Sequence, residues 1–138
     1  MKADIRQSKL TPRSSFGAPW RSHRDLDAYK RSIDLLVHVQ RVCKKLPGED
    51  RFDLGDQMRR ASKSIPVNIA EGFGKKASEK EFKQYMKTAM ASATEMETHL
   101  DVAARLGYVK GKELQVLLEG YSHVGQQLNR LIAYWSHF

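Results

Sequence analysis

The sequence predicts an all-α protein, an up-down-up-down four-helix bundle formed by residues 25–138. From about residue 25 onward, apolar residues recur at alternating spacings of three and four, the period of an amphipathic helix. No segment alternates apolar and polar residues as a half-buried strand does, and no Asn-Gly or Asp-Gly pair offers a hairpin turn. The stretches between the periodic segments are short and carry glycine or proline, which makes consecutive helices antiparallel neighbours. At 138 residues the chain has the length of one domain. A domain of that size buries roughly two-thirds of the surface its unfolded chain exposes.

Residues 1–24 precede the periodic region and read as a basic, flexible tail. They hold Lys2, Arg6, Lys9, Arg13, Arg21 and Arg24 against Asp4 alone, so +5 of the chain's formal charge of +8 lies there. A segment this polar cannot bury enough apolar surface to fold by itself, and basic arms of this kind bind polyanions by releasing counterions. Of Tyr29, Tyr85, Tyr121, Tyr134, Trp20 and Trp135, most stand at helical spacing and read as core; Trp20, in the tail, is the candidate free to stack on a base. The tail has no apolar run of signal-peptide length, nothing in the chain approaches a membrane span, and a single cysteine excludes an intramolecular disulfide. The expectation is a cytoplasmic protein with no cofactor.

In the first helix Leu26, Tyr29, Ile33, Leu36, Gln40 and Cys43 form one seam, with Asp25 as N-cap. A parallel row of Leu35, Val39, Val42 and Leu46 gives this helix a second neighbour, and "LPGED" at 46–50 ends it. The second helix runs from about Asp53 to Phe73 with Leu54, Met58, Ala61, Ile65 and Ile69 as its core face, and Gly72 and Gly74 stop it. A capping box of Ser78 and Glu81 opens the third, which continues through Phe82, Tyr85, Ala89, Ala93, Met96, Leu100 and Ala103. Gly107 is its left-handed cap, with Tyr108 folding back. The fourth helix carries Leu114, Leu117, Tyr121, Val124, Leu128, Leu131 and Trp135.

"SIPVNIAEGFG", residues 64–74, places polar residues inside an apolar stripe. At about 100° per residue, Ser64, Asn68 and Glu71 form a row along one flank of the core face. Pro66 has no N–H, so the Ser62 carbonyl loses its helical partner and the helix is expected to kink, a cost of roughly 3 kcal/mol unless compensated. Ser64, Asn68 and Glu71 are therefore expected to make a hydrogen-bonded seam that sets how this helix meets a neighbour.

The cations nearby suggest a second role. Lys80, Lys83 and Lys87 share the face of the third helix opposite its core residues. Beyond them on that face, Ala91, Thr94 and Thr98 make a flat stretch where another helix can sit closely. Arg59, Arg60 and Lys63 on the second helix and Lys75 and Lys76 between the two extend the lysines into a patch suited to a polyanion. No zinc-finger spacing, aromatic RNA-binding strand or recognition helix reads bases, so binding to backbone phosphate is expected.

The segment "RRASKSIPVNIAEGFGKKASEKEFKQYMKTAMASATEMETHL", residues 59–100, resembles the proteins encoded in intervening sequences of bacterial 23S ribosomal RNA genes. That family is related to the accessory variability determinant proteins of diversity-generating retroelements. The "SIP.NIAEG", "S..EF..Y" and "E.ET.L" elements carry the resemblance, and "DLDAYKRSIDLL" and "ARLGYV" extend it over roughly residues 25–135. Ala91-Ser92 departs from the family's usual Gly-Ser, which bears on how closely helices approach there. The resemblance implies a cyclic homopentamer of four-helix bundles with no catalytic site. For the retroelement branch it also implies a basic surface for RNA or DNA and a reverse transcriptase partner; for the intervening-sequence branch it implies no established biochemical role.

Little in the sequence suggests an enzyme. Glu95 with His99, and Glu119 with His123, stand at i, i+4, whereas helical di-iron carboxylate sites use Glu-x-x-His at i, i+3. There is no phosphate-binding glycine loop and no nucleophile elbow, and Cys43 lies on a core seam.

Overall fold

The computed structural model describes residues 20–136. A short 3-10 turn, His23–Asp25, leads into α1 (Asp27–Lys44); a second, Gly48–Arg51, leads into α2 (Leu54–Gly74); α3 (Glu79–Arg105) and α4 (Gly111–Ser136) complete the fold. The described residues contain no strand, and none of their helices is long and apolar enough to cross a membrane.

Consecutive helices are antiparallel, as contacts far apart in sequence show. Gly72 of α2 lies against Tyr85 and Met86 of α3, while Ser64 lies against Ser92. Leu35 of α1 rests on Gly120 of α4, and His38 reaches Glu113. The helices thus close a ring in chain order, with contact most extensive between α2 and α3 and least between α1 and α4. At its centre Met58, Ile65 and Ile69 meet Phe82, Met86, Met96 and Leu100 of α3 and Leu117, Tyr121 and Leu128 of α4, all fully buried. Phe82 stacks on Trp135 at a centroid distance of 3.8 Å, joining the start of α3 to the end of α4.

Both expected rows of α1 reach the core, the first only at its ends, Leu26 and Cys43. Leu35, Val39, Val42 and Leu46 are buried together with Ala28 and Ser32, whereas Tyr29, Ile33, Leu36 and Gln40 are half-buried. Spacing alone cannot rank two parallel apolar rows; the inward one is decided by where α2 and α4 converge. Cys43 is core as expected: its thiol faces the Gly55 carbonyl of α2 at 3.6 Å, and burial pushes its pKa up.

The caps also depart from expectation. Asp25 does not cap α1. It accepts from the backbone N–H groups of Arg21 and Ser22, closing a capping box on the 3-10 turn one step earlier, and these bonds hold its pKa below the usual value. α1 begins with Leu26 as an N-cap that makes no side-chain hydrogen bond. Of the α3 capping box, the Ser78 hydroxyl accepts from the Glu81 N–H at 3.3 Å.

Gly72 does not end α2. It lies buried inside the helix where α3 comes closest, and Lys75 is the C-cap. Gly107 takes φ +81 as expected, and the Tyr108 N–H donates to the Ala103 carbonyl at 2.9 Å, which completes a Schellman ending. The Tyr108 hydroxyl then donates to the Asp50 carboxylate, so the two connections at this end of the bundle hold each other.

Candidate functional site

α2 remains helical through Pro66, which is buried. Beside it the expected seam forms with one substitution. The Asn68 amide donates to the Ser64 carbonyl at 2.8 Å and to the Ser64 hydroxyl at 3.0 Å, and the Ser92 hydroxyl of α3 donates to the Ser64 hydroxyl at 2.9 Å. Ser64, Asn68 and Ser92 thus form a polar bridge across the closest helix pair. Glu71 is exposed and takes no part in it. One turn beyond Asn68 the row has rotated past the contact, out to solvent.

Ser92 was the member that sequence reasoning missed as a bonding partner. Its signal was its place: a small hydroxyl one residue before core Ala93, on a helix whose core face is rich in alanine. The side-chain donor at Asn68 goes to the Ser64 carbonyl rather than to that of Ser62. The Ser62 hydroxyl is itself tied to the Arg59 carbonyl at 3.1 Å.

The eight cations divide into two groups of four. Arg59 is half-buried and bonds Asp56 at 2.9 Å and the Arg51 carbonyl at 3.2 Å, holding the start of α2. Lys83 pairs with Glu79 at 2.8 Å. Lys75 lies over the Tyr85 ring at 5.6 Å and Lys76 over the Phe73 ring at 4.3 Å, each covering an aromatic face. Arg60, Lys63, Lys80 and Lys87 are exposed, with no ion pair or side-chain hydrogen bond among the described residues.

The register of α2 and α3 orders these four. Ser64 level with Ser92 places Arg60 level with about residue 96, so Arg60 and Lys80 lie roughly 24 Å apart along the bundle at 1.5 Å per residue. Lys63 and Lys87 fall between them. Exposed Glu71 lies beside this track, and α3 turns acidic in its second half at Glu95, Glu97 and Asp101. There, partial burial and then Asp101 raise the Glu97 pKa. The flat stretch of Ala91, Thr94 and Thr98 is exposed on the same helix, and Val67 of α2 is 53% exposed.

Other candidates take ordinary places. Glu95 and His99 are hydrogen-bonded at 3.0 Å, while Glu119 accepts from Gln115. Among the described residues no group of three or more His, Cys, Asp or Glu is placed to hold a metal ion. Trp20 is not free to stack on a base. It packs against the core with its ring 6.2 Å from that of Tyr134, edge to face. The fold therefore takes in residues 20–24, and the rest of the basic tail, 1–19, lies outside the described residues.

The fold is similar to that of a crystal structure from Bacteroides thetaiotaomicron VPI-5482, of a protein with unknown function from the S23 ribosomal protein family. The two superpose with a TM-score of 0.69 at 22% identity, over 77% of this chain and 95% of that one, which establishes the shared fold. The 23S rRNA-intervening sequence protein family matches residues 24–130, and the chain belongs to that family. No curated protein matches the chain.

Proposed function

We propose that the protein is a non-catalytic nucleic-acid-binding accessory protein of the cytoplasm, working without a cofactor on the phosphate backbone of RNA or cDNA. The role resembles that of the reverse transcriptase accessory protein of diversity-generating retroelements. The observation that supports the reading is the track of Arg60, Lys63, Lys80 and Lys87, four exposed cations with no partner among the described residues, drawn from two adjacent helices. Four solvated cations on a chain of charge +8 attract a polyanion at long range, and without base-reading groups they hold it by its phosphates.

In this reading the chain assembles as a cyclic homopentamer. The flat stretch at Ala91, Thr94 and Thr98, together with exposed Val67, offers a surface for a second copy, and the lysine end of α3 stays open to the ligand. A ring repeats the weak track five times and gains affinity by multivalency. A reverse transcriptase is the partner this role calls for. The same flat stretch favours a second reading, a ring that binds only protein and whose charge is incidental.

A salt titration separates them. For four phosphate contacts per subunit, log K against log salt should fall with a slope of about −3 to −4 on structured RNA or single-stranded DNA. Arg60→Glu, Lys63→Glu, Lys80→Glu and Lys87→Glu together should abolish binding and leave the oligomer intact by light scattering. Absence of binding by the wild-type protein at low salt refutes the nucleic-acid role and leaves the protein-only ring.

A further inference from the structure

The largest share of the chain's charge has no part in the α2–α3 track. Of the formal +8, +5 lies in residues 1–24, and residues 1–23 fall outside the match to the family. The structure fixes where this segment joins the bundle. Trp20 packs edge to face against Tyr134 near the end of α4, and the His23 ring lies 4.8 Å from that of Tyr29 in the first turn of α1. The turn His23–Asp25 also touches α2, which ends on this side of the bundle at Gly74. Arg21 and Arg24 are therefore held at the end that carries Lys75, Lys76 and, in the first turn of α3, Lys80. Both are exposed, and neither guanidinium makes an ion pair or a side-chain hydrogen bond among the described residues. Asp25, the acid beside them, accepts from the backbone N–H groups of Arg21 and Ser22 instead.

We propose that residues 1–24 form an arm that closes over a nucleic-acid strand lying on the track, so that its phosphates are held from both sides. The inference rests on the nucleic-acid reading of the track. That track ends at Lys80, and Arg21 and Arg24 continue it across the end of the bundle to the point where the arm is anchored. Before Trp20 stand Arg13, Lys9, Arg6 and Lys2, with Asp4 as the one acid among them. At no more than about 3.6 Å per residue, Arg13 reaches about 25 Å from the anchor and Lys9 about 40 Å. The arm is thus long enough to span the roughly 24 Å from Lys80 to Arg60. Tethering at Trp20 keeps its cations at a high effective concentration beside a bound strand, and each phosphate they neutralise releases a counterion.

The test is the salt dependence of single-stranded DNA binding by the full chain and three sets of variants. The first set joins Arg21→Gln and Arg24→Gln; the second joins Lys2→Gln, Arg6→Gln, Lys9→Gln and Arg13→Gln. The control joins Lys44→Gln, Lys45→Gln, Lys110→Gln and Lys112→Gln, which removes the same charge as the second set from exposed positions at the far end of the bundle. Thermal melts verify that all three fold. Each phosphate contact on a single strand contributes about 0.7 to the slope of log K against log salt, so the track alone gives about −3. The wild type should be steeper, the first set should flatten its slope by about 1.4 and the second by about 2.8, and the control should leave it unchanged. A wild-type slope of about −3 that neither arm set moves overturns the arm and leaves the track standing. Equal flattening by the control overturns it too, since net charge would then explain the effect. So does tighter binding after the arm is neutralised, because the arm would then cover the protein's own acids. Absence of binding by the wild type at low salt overturns the track and the arm together.

Discussion

Gly72→Ala tests whether the α2–α3 contact is as close as described. An added Cβ would stand 2.6 Å from the Met86 Cε and 2.7 Å from the Tyr85 Cβ. The methionine tip belongs to a fully buried side chain, and the tyrosine Cβ is fixed to the α3 backbone, so ordinary contact requires the helices to part by about 1 Å. Overpacking of this kind costs about 1–3 kcal/mol. Replacing a helical glycine by alanine returns at most about 1 kcal/mol. A net loss of about 1–2 kcal/mol should lower the melting temperature by about 3–8 °C in a domain of this size. The control is Gly74→Ala, two residues on, where nothing lies within 4 Å and φ is not positive. It should leave stability unchanged or raise it by about 0.5 kcal/mol. Urea unfolding of the three proteins measures both effects, and a Gly72→Ala protein as stable as Gly74→Ala would refute the close approach.

The seam and the loop clasp give further expectations. Asn68→Ala and Ser92→Ala should each cost about 1 kcal/mol, and because both bond Ser64 a double-mutant cycle should show coupling of about 0.5 kcal/mol or more; additive losses would mean the bridge is not one network. The hydrogen bond to Asp50, then desolvation, raises the Tyr108 pKa above its usual 10.0. The unfolded chain therefore loses this proton first, so the contribution is complete below pH 10 and falls away as pH rises beyond it. Comparing denaturant midpoints from pH 8 to 11, the wild type should lose stability faster than Tyr108→Phe, and parallel curves would argue against the clasp.

The helices were legible because their core faces repeat a period that only one conformation matches. Leu54, Met58, Ala61, Ile65 and Ile69 are all buried, as are Leu117, Tyr121, Val124, Leu128, Leu131 and Trp135. The left-handed ending at Gly107 was equally plain, because one residue type and a following aromatic serve it. Gly72 shows the limit. A glycine near a helix end reads as a stop, and only the neighbouring helix reveals that its missing side chain makes room for Tyr85 and Met86.

The site was half legible for a related reason. Facing is local, so the wheel placed Lys80 and Lys87 outward and Asn68 on the core flank, but pairing depends on what arrives from elsewhere. Lys83 and Arg59 have acids one turn away that claim them, and Lys75 and Lys76 settle on rings. Trp20 lies outside every periodic segment, and its burial rests on Tyr134, more than a hundred residues away.

The distance between neighbouring helices decides what a polar residue at the edge of an apolar stripe becomes. Between α2 and α3, small residues at Ala61, Ser64, Gly72, Ala89 and Ser92 let the axes come together, so the hydroxyls and the Asn68 amide on that edge find one another. Between α1 and α4 the close approach is Leu35 on Gly120, and the edge residues on either side are longer and charged. They cannot be buried against a facing helix without an ion partner, so they hold the walls apart and leave Asp27, Arg31, Asp34 and Gln127 around open space. One bundle thereby acquires a polar bridge that fixes its geometry and, across the ring, an open groove whose charged edges are left to solvent.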